Sequence, residues 1–112
     1  VRKTFGLSEP LRQALLPVAD RIEAACVYGS YARRNDSASS DIDVLLVSDE
    51  LSYAEAMTAL HPLMEQLGRN VNPTLYTRAE LQQRIGSGNS FITRVLAQPR
   101  LWLIGGEDAL RA

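Results

Sequence analysis

Sulfur and imidazole are scarce in this chain. Cys26 is the only cysteine and His61 the only histidine. An internal disulfide is therefore excluded, and zinc-ligand spacings are missing. One unpaired cysteine fits a reducing compartment, and a cytoplasmic location is expected. No apolar run approaches the ~18 residues of a membrane span. No charged-then-apolar leader opens the sequence either. Neither sign of charge dominates: 12 Lys and Arg stand against 13 Asp and Glu, a net charge of −1. Nucleic-acid binding by this segment thus has no global electrostatic basis.

What is present suits an ordinary globular protein. Hydrophobic residues make up 46% of the 112 and charged residues 22%. That length points to a single domain, 1–112, with a modest core. The sequence begins Val1-Arg2-Lys3-Thr4-Phe5 rather than with methionine. This start reads as the interior of a longer polypeptide, with room for another domain upstream.

Helix and strand signals alternate. Ser8-Glu9-Pro10 is a helix start, with Leu11, Leu15, Val18 and Ile22 at helical spacing behind it. Pro17 should kink or break that helix. Ala25-Cys26-Val27-Tyr28 reads as a strand. A short helical segment is expected around Ser30 to Arg34, then a polar loop, Asn35 to Ser40. Asp41 to Val47 is the second strand. Its run Val44-Leu45-Leu46-Val47 suggests cover on both faces.

Leu51 to Leu67 follows as a helix with Tyr53, Met57, Leu60, Met64 and Leu67 on one stripe. Asp49 and Glu50 are read as its start. Pro62 should bend it and Gly68 should end it. Val71 to Tyr76 is a third strand, placed at an edge by Pro73. A helix over Ala79 to Ile85 is followed by a turn, Gly86 to Asn89. Asn89 or Ser90 then caps a helix to about Ala97. Leu101 to Ile104 makes a last short strand. Together these elements predict an α/β protein with a small mixed β-sheet flanked by helices.

The chemistry concentrates in Gly29-Ser30 and in Asp41-Ile42-Asp43. Residues two apart on a strand share a face. Two carboxylates side by side repel, and desolvation adds to the cost. A divalent cation relieves both. Magnesium favours hard oxygen ligands and is often held by one or two carboxylates plus substrate phosphates. Upstream, a strand runs into glycine and a hydroxyl. Glycine admits close approach of a ligand, and free N–H groups at a helix start attract anions. Gly29-Ser30 is thus a phosphate cradle, and Arg33 and Arg34 could add charge-assisted bonds. The ten residues Tyr31 to Ser40 between the halves let the chain return beside its first strand. Taken alone, a D-x-D pair or a Gly-Ser turn means little. His61 lacks a neighbouring ligand and reads as a surface or packing residue, and Cys26 as a buried structural thiol.

Val27 to Val47, with its Gly-Ser, loop length, acid pair and hydrophobic tail, resembles the DNA polymerase β-like nucleotidyltransferase superfamily. It is most similar to the minimal nucleotidyltransferase branch. The resemblance implies the nucleotidyltransferase fold. It implies Ser30 on the triphosphate tail and Asp41 and Asp43 as catalytic ligands of magnesium. The expected reaction transfers a nucleoside monophosphate from Mg-NTP to a hydroxyl, with release of pyrophosphate. Two metals are the family pattern. Relatives also place a third carboxylate on the next core strand. Val71-Asn72-Pro73-Thr74-Leu75-Tyr76 holds no acid. Asn72, or Thr74, falls at that place, so one well-held metal is expected, unless Asp36 or a residue from another domain completes the site. The alternative is a catalytically weak nucleotide-sensing module. Expected partners are a nucleoside triphosphate and either a fused upstream helix-turn-helix DNA-binding domain or a HEPN-type toxin–antitoxin partner.

Overall fold

The computed structural model describes residues 8–28 and 41–110. Helix α1 (Ser8–Leu15) stops before Pro17 and passes into a 3-10 helix over Leu16–Arg21. The proline lacks the N–H that an α-helix needs there, so the break falls at the expected place. Strands β1 (Ala24–Tyr28) and β2 (Ile42–Val47) come next, then helix α2 (Tyr53–Leu67) and strand β3 (Val71–Tyr76). Helices α3 (Arg78–Ser87) and α4 (Ser90–Leu96), strand β4 (Arg100–Ile104) and a 3-10 turn over Glu107–Leu110 complete the order.

The four strands form a mixed sheet in the order β3-β2-β1-β4. β2 runs antiparallel to β1 and parallel to β3, and β4 runs antiparallel to β1. β3 is an edge strand, which tolerates the missing donor of Pro73. The parallel pair is joined through α2, as a parallel connection requires.

Alternation along the strands divides the core. Ala25, Val27, Ile42, Val44 and Leu46 face α1 and α2, where Leu11, Leu15, Leu60 and Leu63 meet them. Ala24, Cys26, Tyr28, Leu45 and Val47 face the other way, toward Leu81, Ile92 and Val95 of α3 and α4. The run Val44 to Val47 is thus covered on both faces.

Three local expectations need correction. The buried stripe of α2 is Ala56, Leu60 and Leu63, while Tyr53 is 54% exposed. Met64 and Leu67 only flank the core. Ala56, Leu60 and Leu63 lie at i, i+4 and i+7, which is one face of a helix, so the small Ala56 rather than Tyr53 or Met57 starts the buried stripe. Asp49 and Glu50 precede the helix rather than start it. Ser52 and Glu55 form the capping box at its start, with the Ser52 hydroxyl 3.1 Å from the Glu55 amide. Leu51 is buried ahead of it. Gly86 and Ser87 lie inside α3 rather than in a turn. Gly88, at φ 71°, ends that helix, and Asn89 at once caps the next. The helix α2 runs through Pro62 and ends at Gly68, at φ 67°.

Candidate nucleotide and metal site

Sheet register assembles the site. Asp43 on β2 lies opposite Tyr28 on β1 and beside Asn72 on β3. These three residues form one row across neighbouring strands, on the sheet face that carries Leu45 and Val47. Asp41 sits one residue before β2, where the Ile42 amide already donates to the Asn70 carbonyl at 2.9 Å. Its carboxylate turns toward β3. The Asn72 side-chain amide donates to Asp41 Oδ2 at 3.1 Å.

Asp43 is half-buried and its carboxyl titrates above its ordinary range. Burial is the main cause, a hydrogen bond from Asn72 opposes it, and the charge of Asp41 adds to it. The Asn72 amide therefore serves both acids. The repulsion and desolvation expected of the pair are both present at Asp43. Two hard oxygen donors with this deficit of positive charge fit a magnesium ion. Among the described residues, no group of three or more His, Cys, Asp or Glu side chains could hold a metal. The position beside Asp43 is an amide.

Tyr28 closes the other side of the row. Burial raises the titration of its hydroxyl most, while a hydrogen bond with Thr74 lowers it. Asp43 raises it further and Arg94 lowers it. Phe91 of α4 stands edge-on to both Tyr28 and Tyr76, with ring centroids 5.8 and 6.2 Å away. The guanidinium of Arg94 lies over Phe91 at 5.8 Å, and that of Arg84 over Tyr76 at 5.2 Å.

Gly29, Ser30, Arg33, Arg34 and Asp36 fall outside the described residues, as do the short helix and loop expected over residues 30–40. Asp41, Asp43 and Asn72 are brought together. Thr74, the other residue weighed for the third position, meets Tyr28 instead. His61 lies exposed on α2, 4.0 Å from Glu65. Cys26 is fully buried, and burial pushes its thiol up to about 12. Both keep the structural roles read from sequence.

Sequence reasoning missed the aromatic wall of Tyr28, Tyr76 and Phe91 and the arginines on it. It missed two structural polar residues as well. The Ser48 hydroxyl donates to the Arg21 carbonyl and accepts from the Leu51 amide at 2.9 Å. Asp49 accepts from the Arg78 amide at 2.9 Å, at the start of α3. Both depend on chain segments distant in sequence, for which local patterns carry no signal. A spacious groove lies elsewhere, between α1 and α2. Pro10, Ala14, Val18, Ala59, Pro62 and Leu63 line it, with Arg21 and Glu55 paired at its rim.

Comparison with known proteins agrees with this arrangement. The family described as Polymerase beta, Nucleotidyltransferase matches residues 13–94. The chain belongs to that family. No curated protein matches it. Solved structures share the fold. One is the toxin–antitoxin with AMP-PNP, 15% identical, with a TM-score of 0.59 over 90% of this chain and 75% of that one. Another is a mutant of the toxin–antitoxin MntA-HpeT, 13% identical, with a TM-score of 0.57 over the same shares. The α/β fold with its small mixed sheet is thus a nucleotidyltransferase fold. No helix among the described residues is long and apolar enough to cross a membrane.

Proposed function

We propose that this domain binds a magnesium–nucleoside triphosphate complex at Asp41 and Asp43 and works as a catalytically weak, nucleotide-sensing member of its family. The observation that carries this reading is the Asn72 amide on Asp41, at the position beside Asp43 where a third acid would complete the charge. An amide can hold two carboxylates in place. It cannot take a proton from an attacking hydroxyl or balance a second cation. Asp41 and Asp43 would hold one magnesium ion. When bound, that ion would neutralise charge on the phosphates. Gly29 and Ser30 would cradle the triphosphate tail, with Arg33 beside them. The nucleotide and its acceptor are small ligands of the family type: an NTP and a hydroxyl. The toxin–antitoxin structures support a pairing with a partner protein; the family resemblance makes a HEPN-type protein the candidate. An upstream DNA-binding domain in a longer chain is the other regulatory setting.

Full transfer of a nucleoside monophosphate to a hydroxyl, with pyrophosphate released, is the second reading. Membership of the family favours it. Incubation with α-labelled ATP or GTP, magnesium and candidate acceptors separates the two. The weak-module reading expects label transfer far slower than the ordinary enzyme range, which begins at about 1 s⁻¹. Asn72→Asp should speed transfer or hydrolysis and leave nucleotide affinity nearly unchanged. Wild-type turnover within the ordinary range would establish the enzyme and sink the weak-module reading.

A further inference from the structure

Six of the described arginines fall into two sets. Arg12, Arg21, Arg78 and Arg100 each meet a carboxylate within 4.0 Å. Arg84 and Arg94 do not: no ion pair joins either to a carboxylate among the described residues, and the guanidinium carbon of each sits over an aromatic ring. Both side chains are exposed. A cation over a ring face is attracted by the ring quadrupole, which holds it near the ring. Its N–H edge stays available, and that edge matches the spacing of phosphate oxygens.

The rings lead back to the acid pair. Arg94 stacks on Phe91, Phe91 touches Tyr28, and Tyr28 lies opposite Asp43 in the sheet. Arg84 stacks on Tyr76, which touches the same Phe91. Tyr28 also immediately precedes Gly29-Ser30 in the chain. The wall therefore carries two cations, without an ion pair among the described residues, along the sheet face that Asp43 occupies.

We propose that Arg94, with Arg84 behind it, anchors the polyphosphate tail of a nucleotide whose metal end is held by Asp41 and Asp43. This rests on the reading of the acid pair as a magnesium–nucleotide site, yet it makes a separate claim about α3 and α4. A polyphosphate would lie between a metal on one side and the stacked guanidinium edges on the other. Excess negative charge on the tail, beyond what one cation neutralises, is thereby met without a second metal. The ligand class follows: nucleoside triphosphates and diphosphates, in preference to monophosphates.

Calorimetry tests the claim with three ligands: ATP in magnesium, inorganic tripolyphosphate in EDTA, and AMP in magnesium. The proteins are wild type, Arg84→Gln, Arg94→Gln, the double variant and Arg94→Lys, each checked by far-UV circular dichroism. Tripolyphosphate affinity should fall by about tenfold for Arg94→Gln and further for the double variant. AMP affinity should barely change. Arg94→Lys should recover part of the loss, because it keeps the charge but not the planar fork. Tripolyphosphate binding in the double variant equal to that of wild type overturns the proposal. So does a wild type that binds no tripolyphosphate in EDTA. If wild type binds tripolyphosphate through the arginines but ATP affinity ignores magnesium, the acid-pair reading fails and the arginine anchor stands.

Discussion

On one face of β2, Ile42, Val44 and Leu46 are fully buried beneath α1 and α2. On the other face Asp43 comes first, half-buried, followed by Leu45 and Val47 beneath α3 and α4. The same six residues thus serve two purposes. The first face has no polar side chain and contributes only burial. The second spends its outer end on a carboxylate that is pushed upward in titration by burial and by Asp41. On the proposed function, stability and binding are therefore arranged on opposite sides of one strand. A change on the first face should cost the fold without touching specificity. A change at the end of the second should cost ligand and leave the fold intact or improved.

The sharpest way to break that division is Leu46→Ala. This residue is fully buried among the α1 and α2 side chains. Truncation should lower unfolding free energy by about 2–5 kcal/mol in urea titration. Nucleotide affinity, measured where the variant remains folded, should hold. A marked affinity loss at full folding would show that the two faces are coupled.

Asp43→Asn sharpens the comparison from the other side with a smaller effect. Asp43 titrates higher in the folded protein than in an unfolded chain. A carboxyl of that kind favours the folded state below its unfolded titration range. That benefit is lost as pH rises through the folded one. At neutral pH the ionised Asp43 therefore works against the apo fold, and the asparagine should raise Tm by a few degrees. The gain should shrink as pH falls below the folded titration range of Asp43. Thermal scans of both proteins at several pH values in EDTA check the sign. A Tm for Asp43→Asn below that of wild type at neutral pH would mean that the carboxylate earns more from its neighbours than it loses.

Much of this was legible in the sequence because it is local. Val44 to Val47 lacks alternation, so a strand covered on both faces follows. Pro17 breaks a helix and Pro73 marks an edge, each because proline lacks an N–H. The acid pair could be named from the spacing of residues on a strand, and Asn72 from the family resemblance, which places a third acid on the next core strand. What stayed hidden depends on depth and on distant partners. The true stripe of α2 runs through Ala56, whose small side chain gives a weak apolar signal beside Tyr53 and Met57. Gly86 and Ser87 sit on an exposed helix end, where their poor propensity is outweighed by the capping of Thr77 before them and Gly88 after them. Phe91 and Arg94 reach Tyr28 only because α4 folds back over the sheet, more than 60 residues later in the chain. No spacing rule reports such a contact.

The central claim is that Asp41 and Asp43 form a metal-dependent nucleotide site, and one titration reaches it most directly. ATP or GTP is titrated calorimetrically into the protein in magnesium and again in EDTA, alongside the double variant Asp41→Asn with Asp43→Asn. The account predicts binding in magnesium, markedly weaker binding by the wild type in EDTA, and loss of the magnesium effect in the double variant. Equal affinity with and without magnesium, or a magnesium effect that survives the removal of both carboxylates, would contradict it.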